Sequence, residues 1–386
     1  MPKPIRALLV FGTRPEAIKM APIVQAMRKS ERFAPIVAVT GQHREMLDQV
    51  LDLFGLVPDY DLNLMHPGQK LGELTARVLT GLEPVIERER PDWVLVQGDT
   101  TTAFAAALAA FYAHVPVAHV EAGLRTRTIW LPFPEEANRR LITRLSSLHF
   151  APTRRAAANL LEEGVPEETV HLTGNTVIDA LFTVLNGVLG RSSAAEVAAA
   201  LAAPPAGARR MILVTTHRRE NWGEPLGRVY QAILDILEQV PDAWVLFPCH
   251  RNPVVRELAK AVLEGHPRVR LTDPLDYLSF VEALREATLV LSDSGGVQEE
   301  APALNKPVLV LRDETERQEA IEAGTARLVG TDRKRIVQEA VRLLTDERAY
   351  AQMADAGGKH NPFGDGHAAE RILAALQAFT PEIPAG

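Results

Sequence analysis

Residues 287–301 read ATLVLSDSGGVQEEA, and the order of residue types in that stretch decides the fold. The aliphatic run at 289–292 has the length and composition of a buried strand. Ser294, Gly295 and Gly296 then supply a turn, and Val297 opens a helix with carboxylates in its first turn. Strand, glycine turn and helix form the unit from which parallel-sheet α/β domains are built. The unit recurs in both directions, with strands at 211–215, 245–248, 269–271 and 308–311. In the first half, strands read at 7–11, 36–40, 93–97, 117–120 and 149–151, and helices at 17–29, 43–54, 72–90 and 102–114. Strand after strand ends in glycine or small polar residues, as in FGT, TGQ, QGDTTT and EAGL. Ligand sites in open parallel sheets form at such carboxyl ends.

A chain of 386 residues exceeds one ordinary core and implies about two domains. The expected architecture is two Rossmann-like α/β domains with parallel sheets facing one cleft, the first over 1–175 and the second over 176–361. The hinge is placed near 174–179. The alanine- and proline-rich 192–208 reads as a surface helix plus loop, and the amphipathic 367–379 within 362–386 as a helix crossing back to the first domain. Hydrophobic residues at 46% and charged residues at 24% match an ordinary globular chain. A net charge of −7 argues against a nucleic-acid partner. Cys249 is the single cysteine, so an intrachain disulfide and a cysteine metal cluster are both excluded. No apolar run approaches the roughly 18 residues of a membrane span, and the N-terminus lacks the pattern of a secretory signal. A cytoplasmic protein without membrane insertion is expected.

The chemistry-bearing residues gather at the strand ends. In SDSGGVQEEA the glycines let backbone approach a diphosphate, and Glu300 lies where a carboxylate accepts ribose hydroxyls. The alternative is a glycine-opened helix with an exposed acidic first turn. FGTRPEAIK places Arg14 and Lys19 where they could meet phosphate, or Arg14 could form a surface salt bridge with Glu16. HRREN offers one histidine, His217, and two arginines, Arg218 and Arg219, as partners of a leaving diphosphate, against solvated loop charges. Arg312 and Arg317 flank another strand end in LRDETERQEA. Asp99 and Glu121 follow strands in QGDTTT and HVEAGLR, and Glu135 with Glu136 lie in PFPEEANR; a carboxylate at such a place can serve as acid or base. Capping of the helix beginning at Thr100 is the alternative for Asp99. The histidines have no metal-ligand spacing and GxGxxG is missing, so neither a metal nor a dinucleotide cofactor is expected.

Taken in order, FGTRPEAIKMAP, TGQHREMLDQV, GDTTT, HVEAGLRT, PEEANR, TGNTVIDAL, HRREN, SDSGGVQEEAP, NKPV, VGTD and NPFGDG resemble the non-hydrolysing UDP-N-acetylglucosamine 2-epimerases of bacteria over nearly the whole chain. The resemblance implies a fold like the B-type glycosyltransferases and a homodimer. It implies that Arg14, Lys19, His217, Arg218, Phe280, Ser294, Gly295, Gly296, Glu300 and Arg317 hold the UDP moiety. Asp99, Glu121 and Glu135 would be the acid–base carboxylates. A second substrate molecule, acting as activator, would be lined by Gln42, His43, Gln69 and His250. Trp130-Leu131, Asn305 and Gln318 depart from the family pattern.

Inverting C2 of such a sugar is difficult because its hydrogen is not next to a carbonyl. Oxidation at a neighbouring carbon would need a nicotinamide. Elimination of UDP to an alkene between C1 and C2, a 2-acetamidoglucal, needs only a base, a stabilised diphosphate and a second proton donor. The activity that the resemblance implies, and that this route fits, is reversible conversion of UDP-N-acetylglucosamine to UDP-N-acetylmannosamine for cell-surface polysaccharide synthesis. A UDP-sugar-dependent glycosyltransferase, a hydrolysing epimerase and a silent nucleotide-sugar sensor are the alternatives.

Overall fold

The computed structural model describes residues 3–41, 44–64, 68–188, 204–359 and 361–379. The chain divides into two compact units, Met1–Thr183 with Phe363–Gly386, and Val184–Pro362. The helix Thr176–Thr183, assigned to the second domain by the sequence analysis, belongs to the first unit because it packs on the chain's first helix. Most of the 192–208 stretch lies outside the described residues.

The first unit runs β1 (Ile5–Phe11), α1 (Arg14–Lys29), β2 (Phe33–Val39), α2 (Arg44–Phe54), β3 (Tyr60–Asp61), α3 (Leu71–Glu89), β4 (Trp93–Gln97), α4 (Thr101–Tyr112), β5 (Val117–Val120), α5 (Glu135–Leu145), β6 (Leu148–Ala151), α6 (Arg154–Glu162), β7 (Val170–Leu172) and α7 (Thr176–Thr183). Its strands form one parallel sheet in the order β3-β2-β1-β4-β5-β6-β7. Central β1 pairs on both sides, with Leu8 opposite Ile36 and Val94. Helices cover both faces of such a sheet, which is why β1 and β4 read as continuous aliphatic runs. The alanines of α4 let it pack against both α3 and α5.

The second unit runs β8 (Arg210–Thr215), α8 (Glu224–Gln239), β9 (Ala243–Pro248), α9 (Pro253–Leu263), β10 (Val269–Thr272), α10 (Tyr277–Glu286), β11 (Leu289–Ser292), α11 (Val297–Ala303), β12 (Val308–Val310), α12 (Gln318–Glu322), β13 (Ala326–Leu328), α13 (Arg333–Thr345) and α14 (Glu347–Lys359). The sheet order is β10-β9-β8-β11-β12-β13, again all parallel. Both sheets are doubly wound, with the strand order reversing between β1 and β4 in one and between β8 and β11 in the other. A switch point opens a crevice because the two adjacent loops lead to helices on opposite faces. The final helix, α15 (Ala368–Ala378), packs on α1 and α7.

Candidate active site

At the first switch point the loops after β1 and β4 are tied by one buried carboxylate. Glu16 accepts from Gly12 N at 3.1 Å and Thr13 N at 2.7 Å, and Thr100 Oγ1 donates to its other oxygen at 2.6 Å. Thr13 and Glu16 form a capping box on α1. Glu16 is therefore not half of a surface salt bridge with Arg14; it is buried, and burial raises its pKa. Gly12 is required by packing, since a Cβ there would sit 2.1 Å from Thr40 Oγ1. The loops are held at close quarters.

The three carboxylates singled out in the sequence have different surroundings. Asp99 pairs with the buried Arg139, and its backbone carbonyl accepts from Asn138 Nδ2 at 2.9 Å. It does not cap α4; Thr100 does, accepting from Ala103 N at 3.0 Å. Arg139 also donates to the buried Glu136 at 2.9 Å, which takes Arg140 Nε at 2.7 Å and Thr126 N at 3.1 Å. Glu121 is buried, with Lys19 Nζ at 2.5 Å and Gln97 Nε2 on the same oxygen. Its φ of +64° is left-handed, a conformation that costs a non-glycine residue about 1–3 kcal/mol. Glu135, the first residue of α5, has a buried Oε2 without a hydrogen-bond partner. Beside Asp99, His119 Nε2 meets Gly98 O at 2.7 Å. Burial drives the His119 pKa down to about 3, which keeps the ring neutral.

At the second switch point His217 follows β8 and Asp293 follows β11. The Asp293 carboxylate accepts from His217 Nδ1 at 3.0 Å, from the backbone N–H of His217 at 3.0–3.1 Å and from that of Arg218 at 3.0 Å. Burial pushes Asp293 up, but the His217 bond and charge and the two backbone donors bring its pKa below the usual carboxylate range. An ionised carboxylate on Nδ1 requires the proton there, which fixes the tautomer of His217. The turn beyond β11 is held by Ser292 Oγ, which accepts from Ser294 N at 2.9 Å. A Cβ on Gly295 would lie 3.0 Å from the Arg317 guanidinium carbon, so Arg317 lies against that turn. Glu300 is buried and takes the Tyr277 hydroxyl at 2.7 Å. With Glu299 also buried, the acidic first turn of α11 is no solvated face. Phe280 is half-buried on α10.

The sequence profile of the family described as UDP-N-acetylglucosamine 2-epimerase matches residues 25–377. The chain belongs to this family. A family enzyme, the UDP-N-acetylglucosamine 2-epimerase of Yersinia pestis, is 53% identical over 373 residues, covering 97% of this chain and 98% of the relative. Its counterpart in Escherichia coli K12 is likewise 53% identical, with the same coverage. The crystal structure of the Neisseria meningitidis enzyme bound to UDP-GlcNAc has a TM-score of 0.90 and 46% identity, covering 97% of this chain and all of that one.

Of the family's expected activator positions, Gln42 and His43 lie outside the described residues. Gln69 is half-buried ahead of α3. His250 follows β9 and stacks on His217, with ring centroids 6.1 Å apart. Among the described residues no cluster of histidine, cysteine, aspartate and glutamate could hold a metal ion, and no helix is long and apolar enough to cross a membrane. Glu16, Gln97, Arg139, Asp293 and Glu316 went unselected in the sequence. Only Glu16 carries a local signature, the Thr-x-x-Glu capping box; each of the others has a partner far away in the chain, Glu121 for Gln97, Asp99 for Arg139, His217 for Asp293 and Arg218 for Glu316.

Proposed function

We propose that the protein interconverts UDP-N-acetylglucosamine and UDP-N-acetylmannosamine by elimination and readdition of UDP, without hydrolysis. The observation that carries this reading is the His217–Asp293 pair beside Arg218, Arg317 and the Ser294–Gly296 turn at the second switch point. Arginine forks and a glycine turn suit a diphosphate. An imidazole whose Nδ1–H is fixed by a carboxylate can present Nε2 to a departing phosphate oxygen. In this reading Arg14, Lys19, Arg218, Phe280, Ser294, Gly295, Gly296, Glu300 and Arg317 bind the UDP moiety. Lys19 then acts from its ion pair with Glu121.

The chemistry follows from Asp99, Glu121 and Glu135. One carboxylate takes the proton from C2 while the C1–O bond breaks, and its electron pair leaves with UDP as the C1–C2 alkene forms. A second carboxylate delivers a proton to the opposite face of C2, and the diphosphate oxygen returns to C1. Groups on both faces are needed for inversion, and the three carboxylates supply them, Asp99 paired with Arg139, Glu121 paired with Lys19, and Glu135 carrying a buried oxygen that has no hydrogen-bond partner. The reading includes a homodimer in the cytoplasm, activation by a second nucleotide sugar through Gln42, His43, Gln69 and His250, and a product used for surface polysaccharide.

Proton NMR of the purified protein with UDP-N-acetylglucosamine in deuterated water, without acceptor, tests the scheme. UDP-N-acetylmannosamine carrying deuterium at C2 is expected. Retention of protium at C2 rules out the elimination, and free N-acetylmannosamine with UDP identifies a hydrolysing enzyme. No reaction at all points to a transferase or a sensor.

A further inference from the structure

One carboxylate in the second unit holds three arginines. Glu316 Oε1 accepts from Arg317 Nη1 at 2.6 Å and from Arg218 Nη2 at 3.4 Å, while Oε2 accepts from Arg312 Nη1 at 2.8 Å. Arg218 comes from the loop after β8, and Arg312 and Arg317 from the loop after β12. Two further carboxylates complete the cluster, Glu299 on Arg317 Nε at 2.8 Å and Glu220 on Arg312 Nε at 2.7 Å. Each of the three guanidiniums thus already has a carboxylate partner before any anion arrives. Burial pushes Glu316 up, but Arg317, Arg312 and Arg218 outweigh it and hold the carboxyl well below the usual range.

The three ties differ in strength. Arg312 and Arg317 each make short contacts to two carboxylates. The Arg218 contact is the longest, and Arg218 Nε is buried without a hydrogen-bond partner. Arg218 is therefore the arm with donor capacity to spare. Arg317 lies against Gly295, at the turn where a diphosphate would sit.

We propose that Glu316 is a positioning residue for the diphosphate: it fixes Arg317 against the Gly295 turn and releases Arg218 to the incoming anion while keeping Arg312 and Arg317. The inference rests on the reading of this turn as the UDP site. An isosteric amide cannot replace the carboxylate, because its NH2 group would face a guanidinium N–H. Calorimetric titration with UDP and steady-state kinetics of Glu316→Gln decide the matter. The expected result is a UDP dissociation constant and a KM both raised about tenfold or more, with kcat changed less than about threefold. Glu220→Gln makes the same charge change at an exposed carboxylate touching Arg312 alone, and its UDP affinity is expected to stay within about twofold.

Unchanged or tighter UDP binding by Glu316→Gln overturns the proposal, as does a fall in kcat alone. An equal loss in Glu220→Gln also overturns it, since net charge would then suffice. Should Glu316→Gln fail to fold, Glu316→Asp keeps the charge on a shorter stem that cannot span three arginines. Weakened UDP binding is expected of it, and wild-type affinity overturns the proposal. Failure of the wild-type protein to bind UDP overturns the UDP reading itself; wild-type binding with an unaffected Glu316→Gln overturns the positioning role alone.

Discussion

A neutral imidazole with no fixed acceptor divides its proton between two nitrogens, and a group that serves a leaving phosphate needs one arrangement. Asp293 supplies it, holding Nδ1–H of His217 and the two backbone N–H groups that aim the loop. Asp293→Asn keeps the shape but must turn an NH2 towards at least one of these donors. We expect kcat to fall on the order of 100-fold, the scale of a general acid–base contribution, as read by steady-state kinetics. A variant within a few-fold of wild type would show that the tautomer is not set by Asp293. Asp293 also marks the limit of sequence reading at this scale. Asp99, Glu121 and His217 were legible because each follows a strand at a carboxyl end. Asp293 follows one too, between two serines, yet its role lies in what it does to a residue in the loop after another strand. Glu16 was quoted as a surface partner of Arg14 and is instead buried, because a capping box and a neighbouring loop converge on it.

At the scale of elements, the strands that escaped the sequence are β3, β7 and β13, each two or three residues long and each at a sheet edge. Edge strands bury only part of their side chains and need no aliphatic run. The central strands, covered on both faces, were legible for the opposite reason. Strands β5 and β6 carry a consequence of that burial. His119 and His149 are partners in register, both enclosed, with Nε2 of each spent on a backbone carbonyl. Burial lowers both pKa values, that of His119 to about 3. The unfolded chain takes up a proton near pH 6.5 that folded His119 refuses. Folding is therefore unaffected by this group above pH 6.5 and is penalised as pH falls from there towards 3. Between pH 6.5 and 5 the penalty is about 2 kcal/mol for His119. Urea unfolding at pH 7 and pH 5 should show His119→Gln losing less stability on acidification than wild type. An identical pH dependence would mean that the ring is protonated in the folded protein.

At the scale of the whole molecule, chain order and structural membership part company at Phe363. The chain leaves the first unit at Thr183, builds the second, and ends in residues that belong to the first. Gly174 and Gly364 meet backbone to backbone, and a Cβ at Gly174 would lie 3.2 Å from the Gly364 Cα. Asn175 N donates to Phe363 O at 2.6 Å. Asp179 accepts the first N–H groups of α15, from Ala368 at 3.2 Å and Ala369 at 2.8 Å. Phe363, Ile372, Leu373 and Leu376 are all buried. At about 1.5–3 kcal/mol each, these four side chains contribute roughly 6–12 kcal/mol. A whole domain is stable by only about 5–15 kcal/mol. A chain ending at Pro362 should therefore fail to hold the first unit together while the second keeps its own core. Hydrogen exchange is the measurement: amides of β1, β4 and β5 should lose protection, and those of β8, β9 and β11 should keep it. Protection retained in β1 would show that the first sheet stands without α15. Loss throughout would show that the second unit folds only on a folded first one, so the experiment also reports whether folding follows the chain or the units.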